Sequence, residues 1–196
     1  MFQRFVLAAV FAVAVPVSVV HAQRPIVPLG PMTSGYLCCN LRSYGNTVSD
    51  VNYDEATLPL AVGTPAQITG YDYRWFEANV GGRPQRFKND YSRDLPIPAF
   101  AQRYIVTEDP RLKLAGFEPK LRDAILAGRL LPGMTRDQVV MTLGWPISSE
   151  NPRFEATTWR YWLSAFGEYQ VAFDAEGKLR NVTGDASALD RLWGAP

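Results

Sequence analysis

Histidine is almost absent: the 196 residues hold a single one, His21. It lies in an N-terminal stretch that reads as a secretory signal. Arg4 is the only charge before an unbroken apolar run from Phe5 to Val15, and Val20-His21-Ala22 supplies a small-x-Ala cleavage site with Gln23 as the new terminus. Pro16 and a run short of the ~20 apolar residues of a spanning helix argue against a retained anchor. With His21 removed, the mature chain has no means to build a Ser-His-Asp triad, a Cys-His pair or a histidine-ligated metal site. Charge of one sign is lacking too. Loss of Arg4 takes the 20 Lys and Arg to 19, equal to the 19 Asp and Glu. A chain so balanced exerts no bulk pull on nucleic acid or anionic lipid. No other segment is long and apolar enough to span a bilayer. Phosphate-binding glycine loops and metal-ligand clusters are also missing, so no cofactor and no metal are expected.

What is present divides the chain. Residues 1–22 form the signal. Residues 23–35 carry Pro25, Pro28 and Pro31 around Gly30, which favours an extended linker. Residues 36–91 read as short strands punctuated at Ser43-Tyr44-Gly45-Asn46, Gly63-Thr64-Pro65 and Gly81-Gly82, the pattern of a small all-β domain. Residues 92–117, broken by Pro96, Pro98 and Pro110, read as a connector with one strand near Arg103–Thr107. Residues 118–184 form the most legible domain, and residues 185–196 a C-terminal tail.

Within that domain, LLPGMTRDQVVMTLGWP (130–146) is a self-capped helix. Thr135 and Gln138 have the spacing of a capping box, and Met134 and Val139 occupy the two positions of a hydrophobic staple. Gly144 stands where a helix needs a left-handed stop, Trp145 and Val140 are placed to touch in a Schellman ending, and Pro146 blocks continuation. Upstream, Pro119 opens a helix with Leu121, Ala124 and Ile125 on one face and Gly128 at its end. Downstream, Trp159, Tyr161 and Leu163 alternate with Thr158, Arg160 and Trp162, and Tyr169, Val171 and Phe173 with Gln170, Ala172 and Asp174. Both stretches are strands with one buried face. A third strand near Leu179–Thr183 needs a bulge to bury both Leu179 and Val182.

Gly133-Met134-Thr135, Gln138-Val139, Leu143-Gly144-x-Pro146 and Trp159-x-Tyr161 together resemble the signature of the SmpA/OmlA (BamE-like) family of outer-membrane lipoproteins. The resemblance covers Glu118 to about Gly184. It implies an α+β chain: a small all-β domain, then an α-α-β-β-β domain that supports outer-membrane assembly or integrity through contacts with an envelope protein. Family lipoproteins carry an acylated cysteine directly after the signal. Here that place holds Gln23, so the expected location is the periplasm, with peripheral association to the outer membrane left open. Upstream, Asn40-Leu41-Arg42 and Leu60-x-x-Gly63-Thr64 with Ile68 resemble a bacterial SH3-like barrel. A small β domain of another topology fits those residues as well.

Cys38 and Cys39 leave three readings open: one core and one rim thiol, a link to another chain, or a disulfide between neighbours. Adjacent residues of a regular strand point to opposite faces, so the last requires a departure from strand geometry. Asp50-x-Asn52-x-Asp54 has the start of a calcium loop, but Glu55 and Ala61 stand where the loop needs Gly and Glu. It reads as a solvated acidic loop. Trp159, Tyr161 and Phe173 read as core rather than as a ligand platform.

A non-catalytic interaction protein is therefore the expectation. The alternatives are a cell-wall-associated enzyme that works with carboxylates alone, with the β domain for targeting, and a secreted enzyme inhibitor. Strand alternation puts Arg160, Trp162 and Gln170 on the outer sheet face, and an Arg beside an exposed Trp is the composition of an interaction hot spot.

Overall fold

The computed structural model describes residues 30–31, 33–53 and 58–194. The signal, most of the linker, and Asp54 and Glu55 lie outside the described residues. Among the described residues, eleven strands and five helices follow the order β1(Ser34–Leu37), β2(Leu41–Ser43), β3(Thr47–Ser49), β4(Leu58–Leu60), β5(Pro65–Tyr71), β6(Trp75–Val80), β7(Arg83–Lys88), α1(Ile97–Tyr104), β8(Ile105–Val106), α2(Pro110–Ala115), α3(Pro119–Leu126), α4(Arg136–Leu143), β9(Thr158–Ser164), β10(Gly167–Phe173), β11(Leu179–Gly184) and α5(Ala186–Leu192).

The N-terminal strands make a six-stranded sheet in the order β3-β7-β6-β5-β1-β8 and a ribbon of β2 with β4. All pairs are antiparallel except β3 with β7. Alternation is clean in β6, where Phe76, Ala78 and Val80 point inward, and in β5 as far as Ala66 and Ile68; an irregularity in the β5–β6 register between Ile68 and Gly70 lets Tyr71 reach the same core. Gly81 and Gly82 both have positive φ, as a two-residue hairpin turn between β6 and β7 requires.

The stretch expected to be a loose connector is instead packed. In α1, Ile97, Phe100, Ala101 and Tyr104 are buried. Phe100 and Tyr104 join Phe76 and Phe87 in one aromatic cluster, with centroids 4.4–5.9 Å apart. Pro98 falls in the first turn of α1, where its missing N–H costs nothing. β8 pairs with β1 within the strand region expected near Arg103–Thr107. The expected linker is likewise tied down at its end: Ser34 begins β1, and the Tyr71 hydroxyl donates to the Pro31 carbonyl at 2.7 Å.

In the C-terminal part, α3 and α4 cover one face of the meander β11-β10-β9. The capping box of α4 is present in both directions. Thr135 Oγ1 accepts from Gln138 N at 3.2 Å, and Gln138 Oε1 accepts from Thr135 N at 2.8 Å. Thr135→Ala should cost about 1 kcal/mol, a fall of roughly 2–4 °C in the melting midpoint of a chain this size. A melt that overlays the wild type would mean that the box adds nothing to stability.

The bulge in the last strand is there too. Leu179 pairs with Phe173 and Asn181 with Ala172, so Arg180 is the extra residue, and Leu179 and Val182 both reach the core. The expected C-terminal tail forms a helix. In α5, Ala188 and Leu192 are buried in the same core, and Arg129 donates to the carbonyls of Asp190, Arg191, Trp193 and Gly194.

The end of α4 departs from the expected Schellman motif. Gly144 has φ 85° and ψ 178°, an extended conformation that essentially only glycine adopts, rather than a left-handed helical one. The four C-terminal carbonyls of a helix need outside partners. Here Val140 O takes the Gly144 N–H, and the other three are met by the N-terminal part. Met141 O accepts from Asn40 N at 2.9 Å, Thr142 O from Asn40 Nδ2 at 3.3 Å, and Leu143 O from Asn52 Nδ2 at 2.7 Å. Trp145 is held from outside the helix as well. Its Nε1 donates to Arg103 O at 2.8 Å, and its ring packs against both cores. By contrast, α3 ends in the Schellman pattern, with Arg129 N bonded to Ala124 O and Gly128 N to Ile125 O.

Asp50 and Asn52 are thus not a solvated acidic loop. Asp50 is 2% exposed, and one of its carboxylate oxygens accepts from Tyr91 N at 3.0 Å and Ser92 N at 2.7 Å. Burial pushes its carboxyl above the ordinary range, and the two backbone donors work against that shift. Asn52 adopts φ 56° to reach Leu143 O.

Candidate functional site

The outer face of the meander collects the residues expected there. Arg160 lies opposite Gln170, and Trp162 opposite Glu168. Arg160 is exposed; Trp162 and Gln170 are half-buried. Glu168 links two of them, with Arg160 Nε 3.2 Å and Gln170 Nε2 3.0 Å from its Oε1. Trp162 Nε1 donates to Glu150 Oε2 at 2.9 Å. Asn151 pins the free edge of β9 by accepting from Arg160 N at 2.7 Å and donating to Arg160 O at 3.0 Å. Both backbone groups of Arg160 are thereby withheld from edge-to-edge pairing.

The surface is a preorganised polar face with one indole set into it. Trp162 is less free than strand alternation alone suggests. It also borders a cavity of about 190 Å³ that Arg42, Asn52 and Pro59 of the N-terminal part help to line.

Sequence reasoning missed three residues here. Glu168 and Glu150 hold the face together, and of these Glu168 was readable as the cross-strand neighbour of Trp162 in a tight hairpin. Phe166 caps the β9–β10 turn with 97% of its surface exposed. A large apolar side chain inside a predicted turn was the available signal.

The motif residues occupy the opposite, covered side. Trp159 is fully buried, packs edge-on against Phe173 at 4.7 Å, and donates through Nε1 to Phe154 O at 3.2 Å. Tyr161 stacks on Tyr169 at 5.6 Å and donates to Gly144 O at 3.1 Å. Burial pushes the Tyr161 phenol well above its ordinary value, so it stays a neutral donor. Gly133 N and Met134 O bracket Leu179 of β11, and Leu143 and Pro146 are buried beside Gly144. The spaced Trp-x-Tyr and the Leu-Gly-x-Pro are therefore one assembly: the tyrosine of the strand holds the glycine at the helix end. Among the described residues no three His, Cys, Asp or Glu side chains are placed to hold a metal ion.

Residues 121–183 match the family model of the outer membrane protein assembly factor BamE domain. This part of the chain is a BamE domain. The match covers α3, α4 and the meander, and α5 packs onto the BamE domain beyond the matched residues. No curated protein and no solved structure matches the chain.

Cys38 and Cys39 are joined by a disulfide, the third of the open readings. β1 stops at Leu37 and the two cysteines form a bend, which is the departure from strand geometry that such a bond needs.

Proposed function

We propose that the protein is a non-catalytic factor of outer-membrane assembly or integrity, working in the periplasm, and that it binds an envelope protein through the outer face of its BamE sheet. The observation that carries this reading is the division of labour across the sheet. The motif residues are spent on scaffolding, while Arg160, Trp162, Glu168 and Gln170 form an ordered face beside the exposed Phe166. An indole and a guanidinium held in place by neighbours lose little freedom on binding.

The test is the pair Arg160→Ala with Trp162→Ala. The variant should keep the circular dichroism and melting cooperativity of the wild type. It should lose the partner crosslinked by the wild type and leave a deletion strain as sensitive to detergent as an empty vector does. Full rescue would exclude this face. Release of muropeptides from peptidoglycan by the purified protein would overturn the non-catalytic reading.

A further inference from the structure

The Cys38–Cys39 disulfide sits between two anchored points. On one side, Leu37 is tied into the N-terminal sheet, its N–H bonded to Thr64 O and its carbonyl to Gly63 N, both at 2.9 Å. Cys38 N donates to Tyr104 O at the end of α1, also at 2.9 Å. On the other side, Asn40 seals the C-terminal ends of α3 and α4. Its N–H meets Met141 O at 2.9 Å, and its Nδ2 meets Ile125 O at 2.6 Å and Thr142 O at 3.3 Å. Closing a small ring through the 38–39 peptide leaves those two residues few backbone conformations. The bond therefore sets the direction in which the chain leaves the sheet and delivers Asn40 to the helix ends.

The two sulfurs differ in access. Cys39 is fully buried, whereas Cys38 is 9% exposed and lines a groove of about 820 Å³ between α2 and α4. Arg103, Lys113, Met141 and Trp145 line the same groove.

We propose that this disulfide is a thiol-exchange site that controls how firmly the N-terminal part is locked to the BamE domain, and that its reaction partners are dithiols entering by the groove. The thiolate of the reductant attacks Cys38 Sγ. The Cys38–Cys39 bond breaks, a mixed disulfide forms at Cys38, and Cys39 leaves as a thiolate that takes up a proton, since a buried thiolate without a cation is unstable. The second thiol of the reductant then displaces Cys38, which leaves as a thiolate and is protonated in turn. Two electrons and two protons pass to the protein, and the reductant ends as a disulfide. The reduced 38–39 link no longer confines Asn40, and the three helix-end carbonyls it serves lose their fixed partner.

The test uses the full chain. After native treatment, alkylation with iodoacetamide in denaturant should add nothing to the oxidised protein and two groups to the protein exposed to dithiothreitol. Reduction should raise amide exchange tenfold or more in peptides covering 38–42 and 140–146, and leave 158–173 unchanged. The Cys38→Ser, Cys39→Ser double variant should exchange like the reduced protein and ignore dithiothreitol. Glutathione disulfide should label Cys39→Ser, which keeps Cys38, well ahead of Cys38→Ser. Failure of native dithiothreitol to yield two thiols would overturn the proposal. So would two thiols with an unchanged exchange pattern, because the bond would then be a static staple. Equal labelling of the two single variants would overturn the entry by way of Cys38.

Discussion

Gly144→Val should destabilise the protein by about 3 kcal/mol, with two separate causes. The first is local. At φ 85° and ψ 178° a side chain costs ~1–3 kcal/mol, and a β-branched one lies at the upper end. The second is at the seam. A Cβ on Gly144 would meet Asn52 Nδ2 at 3.2 Å and Leu41 Cδ2 at 3.3 Å, so it presses on the amide that serves Leu143 O. Displacing that amide leaves a helix-end carbonyl short of its partner, which adds about 1 kcal/mol or more. For a chain of this size the sum corresponds to a melting midpoint lower by roughly 6–12 °C. Gly128→Ala is the control. Gly128 has φ 71° with nothing within 4 Å of an added Cβ, so only the backbone term of ~1–2 kcal/mol applies. Equal losses in the two variants would show that the seam contributes nothing at Gly144.

The contrast between those glycines marks where sequence reasoning stops. Gly128 closes α3 through residues that are its own neighbours, Ala124 and Ile125, and such an ending is written within a few residues. The capping box of α4 and the alternation of β9 and β10 are equally local, and both are in place. Gly144 sits in the same sequence pattern, but its helix is finished by Asn40 and Asn52, about 90–100 residues away in the chain. No periodicity or spacing can announce a partner at that distance. The same holds for the outer sheet face. Alternation placed Arg160, Trp162 and Gln170 on it correctly, yet the contribution of Glu150 and the cavity that Trp162 lines together with N-terminal residues come from elsewhere in the fold.

α1 was missed for a different reason. Ile97, Phe100, Ala101 and Tyr104 recur at the spacing of one helix face, so the signal was present. Pro96 and Pro98 outweigh it in a local reading, because proline usually marks irregular chain. In the first turn of a helix that inference reverses. The prolines here set the start of a helix whose buried face then joins the core of the N-terminal sheet.

Asn40→Ala should cost about 2–4 kcal/mol. The side chain makes three bonds at once. Nδ2 donates to Ile125 O at 2.6 Å and Thr142 O at 3.3 Å, and Oδ1 accepts from Val62 N at 3.1 Å. Truncation leaves two helix-end carbonyls and one amide without partners, at ~1–3 kcal/mol for each fully buried group and less where water can enter. Asn40→Asp sharpens the test. It keeps the shape and the acceptor for Val62 N, but turns an oxygen towards two carbonyls at the negative ends of α3 and α4, where a carboxylate is disfavoured. The aspartate variant should therefore be at least as unstable as the alanine variant at neutral pH, and should recover stability as acid protonates it. Urea titrations at pH 7 and pH 4 read both effects, the second as the ratio of the variant's midpoint to that of the wild type at each pH. An aspartate variant as stable as the wild type at pH 7 would mean that the amide is turned the other way. Asn40 would then not be the clasp that holds the two parts together.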